Sequence, residues 1–304
     1  MSSEPPPDDS LELKESGPDG TAEASVWWMH VPALPGERVG VIGGFTATSG
    51  VAAARILSMA AAELKARGST VAVGPMDGNT WRRYRFVTDP GTEPPFFLEP
   101  TNPPEWPGWW QAAGFEPLAE YYSSATDDLG TRDPRLDSAE RRMSAAGITI
   151  RLLAPEHFEE DLARIYEVSV VSFQDNYLYT PLPREAFMAQ YRAIQARVNP
   201  QLVLLAEQAE RAVGYVFAMP DYAQAQRGEP ITTVIVKTLA VLPARANAGL
   251  GAVLLGKVHE QAQAMGFTRA IHALMHETNK SRNLSARYAR TIRRYTLFAK
   301  RLDS

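Results

Sequence analysis

Residues 231–251 read Ile-Thr-Thr-Val-Ile-Val-Lys-Thr-Leu-Ala-Val-Leu-Pro-Ala-Arg-Ala-Asn-Ala-Gly-Leu-Gly. A β-branched run ends at Val241-Leu242-Pro243, and Gly249-Leu250-Gly251 then opens an amphipathic helix. Leu250, Val253, Leu254, Val258, Ala262 and Met265 recur at helical spacing on one face, and Gly266 ends the run. A strand feeding a glycine turn at a helix start presents unpaired backbone N–H groups to an anion such as a pyrophosphate. Gly249 and Gly251 lack a Cβ and allow close approach. No acidic residue at Rossmann spacing and no Lys-Ser/Thr pair follows, so neither a dinucleotide nor a nucleoside triphosphate is favoured.

Working outward, strands are predicted at 148–153, 202–207, 212–219, 231–242, 268–275 and 291–299. Helices are predicted from Pro155 to about Phe173, at 184–196, at 249–265 and at 281–289. This order is α+β with a mixed central sheet rather than strict βαβ alternation. Upstream, a strand at 39–47, a helix at 51–67, a strand at 70–76, a long loop at 77–108, a short helix at 109–113 and a strand at 116–122 form a second block. The domain reading is therefore 1–25 disordered tail, 26–125 first domain, 126–147 linker and 148–304 second domain. The tail reading rests on the acidic, proline-rich composition of 1–25.

Bulk properties bound the function. The chain has 304 residues, a net charge of −4 and no cysteine. It shows no strong pull toward nucleic acid or anionic membrane. It has no thiolate nucleophile or thiolate metal site, and the lack of cysteine fits a cytoplasmic location. No apolar run reaches the roughly 18 residues of a membrane span. His259, His272 and His276 do not have zinc spacing, so no metal is assigned.

The segment Leu239-Ala240-Val241-x-Pro243, followed by Ala246-Asn247-Ala248-Gly249-Leu250-Gly251, resembles the strand end and phosphate loop of the GNAT superfamily of acyl-CoA-dependent N-acyltransferases. The resemblance covers about 148–304 and implies a complete GNAT domain there. It implies that Leu239, Ala240 and Val241 line the pantetheine arm, and that amides of 246–251 hold the coenzyme A pyrophosphate. Ala246 stands where the family has Gln or Arg, with Arg245 one place early. Asn279 resembles the family's coenzyme-contacting Asn, and Tyr288 its Tyr near the sulfur, although their spacing is about two residues longer than the family pattern. A phenol (pKa about 10) suits protonation of a departing thiolate (pKa about 8.5). Glu277 and His276 end a predicted strand on opposite faces, so one of the two serves as base; Glu277 is the preferred candidate and His276 the alternative.

The first block has the order of the second half of a GNAT domain, and Trp109 to Phe115 is similar to the family's helix-then-Gly-Phe ending. Its turn Thr46-Ala47-Thr48-Ser49-Gly50 has no Gly-x-Gly. The chain thus resembles a tandem GNAT protein with a degenerate N-terminal half. It is also similar to a bacterial group of such proteins carrying GPM-x-GNTWRRYRFV and IHALMHE segments, here Gly74 to Val87 and Ile271 to Glu277.

The implied function is transfer of an acetyl or other acyl group from acetyl-CoA to an amine of a small molecule or protein. Direct attack in a ternary complex suits a chain without cysteine. The alternatives are a non-catalytic acyl-CoA sensor and an aminoacyl-transferase-like enzyme. Arg82, Arg83 and Tyr84 in the long loop are candidate substrate contacts, capping the acceptor site of the second domain. The expected assembly is a monomer or homodimer.

Overall fold

The computed structural model describes residues 10–130, 134–278 and 289–302. The first half contains β1 (Ser10–Gly17), β2 (Gly20–Trp27), β3 (Val39–Ala47), α1 (Gly50–Ala66), β4 (Val71–Gly74), β5 (Phe86–Asp89), α2 (Trp106–Ala112), β6 (Glu116–Thr126) and α3 (Arg135–Ala145). The second contains β7 (Ile148–Leu152), α4 (Phe158–Phe173), α5 (Arg184–Arg192), β8 (Val203–Gln208), β9 (Arg211–Pro220), α6 (Tyr222–Gln226), β10 (Thr233–Val241), α7 (Leu250–Ala264), β11 (Arg269–His276) and β12 (Arg290–Arg301).

Local chemistry explains the main helices. Ser49 caps α1, its side chain accepting from the Ala52 N–H, and Ala53, Ile56, Leu57, Ala60 and Leu64 bury one stripe. Glu159, Glu160 and Asp161 place negative charge in the first turn of α4, where the helix dipole favours it. The α+β reading with a mixed sheet holds.

All strands among the described residues join one sheet of order β1-β2-β3-β4-β12-β6-β11-β10-β9-β8-β7, with β5 pairing β12 off this path. Each half follows one plan. An antiparallel pair (β2 with β3, β9 with β10) leads through a helix (α1, α7) to a parallel neighbour (β4, β11). The last strand of each half then crosses over. β12 pairs antiparallel with β4 of the first half, and β6 pairs antiparallel with β11 of the second. β6 and β12 pair with each other at the centre.

Alternation along the strands divides the second half's core. Leu204, Ala206, Val216, Ala218, Val234 and Val236 face α3 and α7, whereas Val203, Leu205, Tyr215, Phe217 and Ile235 face α4 and α5. Fully burying one such aliphatic side chain stabilises by about 1.5–3 kcal/mol.

Two expectations need correction. Residues 10–25 are not a disordered tail, because β1 and β2 form a hairpin that packs Leu11, Leu13, Ala22, Ala24 and Val26 onto the α1 core. Its outward residues are charged, including a Lys14–Glu23 pair at 3.3 Å, and they mask the period-two pattern. Residues 1–9 lie outside the described residues. The stretch 126–147 is not a plain linker either: α3 buries Ala139 and Met143 in the α7 core. The two halves share one sheet, because their last strands are exchanged. The predicted helix at 281–289 falls almost wholly outside the described residues.

Candidate functional site

β10 and β11 run in parallel contact only over Thr233–Val236 against Arg269–His272. Beyond that point β10 stays paired with β9 alone, from Thr238 opposite Phe217 to Val241 opposite Gly214. The register slips between Val236 and Thr238, which leaves Lys237 as the extra residue of a bulge. Across the gap, β11 has its own irregularity between His272 and Met275, with Leu274 at φ 60°. The strands therefore splay into a V. The edge of Thr238–Val241 that faces the gap has no strand partner among the described residues. Backbone amides and carbonyls there need a partner, and an extended amide-bearing chain would supply it. Leu239 and Val241 lean toward the α7 core and Ala240 toward the α4 face.

The mouth of the V leads to the glycine turn. A short 3-10 turn covers Arg245–Asn247, and Asn247 is buried with its Nδ2 donating to the Leu242 carbonyl at 2.9 Å. This bond ties the loop to the strand end. Ala246, Ala248 and Gly249 remain exposed, while Leu250 is buried in the core. Gly249 adopts φ 92° as the N-cap of α7, and no side chain caps that terminus. The first N–H groups of a fifteen-residue helix thus face outward at an exposed glycine, which fits an anion.

Sequence reasoning missed a cation at this turn. Arg142 of α3 donates from Nη2 to the Ala248 carbonyl at 3.4 Å. A Cβ added at Gly249 would lie 3.6 Å from that nitrogen and 3.6 Å from the Ala139 Cβ. The signal was present in the mixed charges of 126–147 but could not reveal which helix α3 covers.

A second group of side chains gathers where β11, β6 and β12 meet. Tyr121 is in register with both His276 and Tyr295. The His276 ring lies 4.9 Å from Tyr121 and 5.4 Å from Tyr177, a residue of the loop after α4. Its Nδ1 accepts from the Thr278 N–H at 3.2 Å. Burial, reinforced by the positive charge of Arg85, holds the His276 imidazole below its ordinary value, and Glu277 works in the opposite sense. Lys237 is pushed down to about 8 by burial and then by Arg85, with Glu99 opposing.

The long loop contributes differently from expectation. It does reach the second half: Trp81 donates from Nε1 to the Thr180 carbonyl at 2.8 Å and packs on Phe187, and the Phe97 N–H donates to Asp221 at 2.8 Å. Arg82 and Arg83 are exposed, and Tyr84 is half-buried. The buried arginine is their neighbour Arg85, 6% exposed, with its guanidinium carbon 3.9 Å from the Tyr84 ring centre and 4.1 Å from that of Tyr121. Asn279 and Tyr288 lie outside the described residues. Among the described residues no group of three or more His, Asp or Glu side chains is arranged for a metal, and no helix is long and apolar enough to cross a membrane.

Residues 162–289 match the sequence profile of the Acetyltransferase (GNAT) family. Curated proteins give no match. Among solved structures, a GCN5-related N-acetyltransferase from Sphaerobacter thermophilus aligns over 95% of this chain and 82% of its own, with a TM-score of 0.53 and 13% identity. One from Anabaena variabilis aligns over 94% of this chain and 63% of its own, with a TM-score of 0.53 and 8% identity. A glucosamine N-acetyltransferase region of a fungal multi-domain β-N-acetylglucosaminidase aligns over 92% of this chain and 31% of its own, at 0.53 and 12%. At these identities the structural likeness speaks for the fold. The matched profile covers residues 162–289, so the chain is similar to the GNAT acetyltransferases over that part of its second half.

Proposed function

We propose that the protein transfers an acyl group, acetyl in the first instance, from coenzyme A to an amine within a ternary complex. The observation that carries this reading is the V between β10 and β11, whose unpaired strand edge runs directly into the uncapped, glycine-led start of α7. In this reading the backbone of Leu239 and Val241 pairs with the pantetheine amides. The N–H groups around Gly249–Gly251 receive the pyrophosphate, and Arg142 supplies the side-chain charge that Ala246 lacks.

The acceptor amine attacks the thioester carbonyl at the inner end of the V, forming the C–N bond as the C–S bond breaks. A proton must leave the nitrogen and one must reach the sulfur. Glu277, the candidate base, takes the first; its neighbour His276 does not, because its Nδ1 already accepts from the Thr278 N–H and its Nε2 therefore carries the ring hydrogen. Tyr288 is assigned the proton for the thiolate.

Adding acetyl-CoA at about 100 times its Kd is expected to stabilise the wild type by about 2.7 kcal/mol, read as a rise in Tm. Gly249→Glu places a carboxylate where the pyrophosphate would sit and is expected to abolish the rise. Gly249→Ala imposes the same backbone conformation without the charge, and the added Cβ meets nothing closer than 3.6 Å. It should retain most of the rise. A wild type indifferent to acetyl-CoA would refute the proposal. Thiol release with a pooled amine library then separates an enzyme from a coenzyme A sensor.

A further inference from the structure

The Arg85 guanidinium is buried, yet its Nε and Nη1 have no hydrogen-bond partner. The rings of Tyr84 and Tyr121, nearly perpendicular at 86°, enclose it, and Tyr295 stands 5.9 Å away. Ring faces offset part of the cost of burying a cation, on the order of 2 kcal/mol when desolvated. They do nothing for the N–H groups, each of which costs about 1–3 kcal/mol when left unpaired. Buried donors in folded proteins are nearly always paired, so two orphans on one guanidinium need an occupant.

The surrounding charges sharpen this requirement. The nearby buried carboxylate, Glu99, is fully committed. Its Oε1 accepts from Arg293 Nε and from the Tyr295 hydroxyl, and its Oε2 accepts from the Phe96 N–H and Arg293 Nη2. Arg85 acts electrostatically on both Lys237 and His276, disfavouring their charged forms. Lys237 stands at the bulge where the V opens, and His276 at the far end of β11. Among the described residues, Glu277 is the carboxylate acting on His276, just past the end of the strand. Arg85 and Lys237 thus lie close enough to repel each other beside the V, while Glu99 is already neutralised by Arg293.

We propose that the acceptor is an amine that also bears a carboxylate, a small amino acid, and that Arg85 receives this carboxylate with Lys237 adding its charge. The inference rests on the acyltransferase reading and names the substrate class for the same site. A planar carboxylate is the ligand that best matches the N–H edges of a guanidinium whose faces are covered by rings. Entry requires one covering ring to turn aside. Tyr84, half-buried where Tyr121 is buried, is placed to do so. The loop from α4 to α5 and the loop at 77–86 would then roof the substrate from both halves, joined by the Trp81–Thr180 hydrogen bond.

The test compares free amino acids with their carboxamides, which keep shape and amine but lose the charge. With acetyl-CoA and wild-type protein, acetylated products are read by mass. Acids are expected to exceed their amides by about 30- to 100-fold in kcat/KM, the range of a charge-assisted hydrogen bond. Arg85→Gln should collapse this ratio toward one, and Arg85→Lys should restore part of it. If Arg85→Gln does not fold, the wild-type ratio alone decides. A second arm needs no turnover: glutarate should raise the Tm of the wild type and glutaramide should not. Amides turned over as well as acids would overturn this inference and leave the acyltransferase reading standing. If no amine is acetylated and acetyl-CoA gives no stabilisation, the acyltransferase reading fails instead. The glutarate arm then judges Arg85 alone, and an unmoved Tm overturns it.

Discussion

Lowering the pH from 7 to 5 is expected to cost the fold on the order of 4 kcal/mol, measured as a fall in unfolding free energy from denaturant titrations. The source is a histidine pair on the inner face of α7. His259 and His272 are buried, with their Nε2 atoms 3.0 Å apart and their rings stacked 5.2 Å between centres. Burial lowers His259 to about 4, and burial together with His259 lowers His272 to about 3. In the unfolded chain both rings take up protons near pH 6.5. Below that pH the unfolded state binds protons that the folded state refuses. Stability is therefore full above 6.5 and falls with acid until the folded values are reached. Each ring contributes about 1.5 units of that interval at pH 5, at about 1.36 kcal/mol per unit. Replacing both rings by Phe should remove this slope. A wild-type protein equally stable at pH 7 and pH 5 would sink the account.

Glu99→Gln is expected to destabilise by about 3–5 kcal/mol, the usual consequence of stripping one partner from a buried ion pair. The side chains of Glu99 and Arg293 are 1% and 4% exposed, with 2.8 Å between Oε1 and Nε. Glutamine keeps the shape but leaves Arg293 charged without a counter-ion, and weakens the bond from Tyr295. The pair joins the long loop of the first half to β12, so the loss should show in global unfolding rather than local fraying. Glu99→Met combined with Arg293→Met should recover most of the loss, because neither charge then remains buried. A single-variant loss below about 1 kcal/mol would contradict the argument.

The β10–turn–α7 unit was legible because its signals are local. A β-branched run, a proline and two glycines fix a strand, a turn and a helix start without reference to distant residues. The hairpin at 10–27 was not legible, since its outward positions carry acids and its apolar partners lie on α1. The crossover of β6 and β12 was equally hidden, because strand content does not specify which neighbour a strand takes. In the run Trp81-Arg82-Arg83-Tyr84-Arg85 the sequence offers three arginines, and simple alternation would put Arg83 and Arg85 on one face. Arg85 at φ 65° breaks the alternation and turns inward alone. Arg142 was invisible for the same reason as the crossover: its role depends on where α3 docks.

The exchange of last strands also governs how the protein can be made. While the chain emerges from the ribosome, β4 and β6 are complete long before β12 exists to sit between them. The early product therefore holds two strand edges without their final partner, the kind of edge that invites pairing with another chain. Closure must await the last strand, so sheet formation is dominated by contacts between distant positions and is slow for that reason. A cut anywhere in 126–147 would give two fragments, each lacking a central strand, rather than two working modules. Gene splitting or fusion at that point should yield soluble protein only when both pieces are produced together.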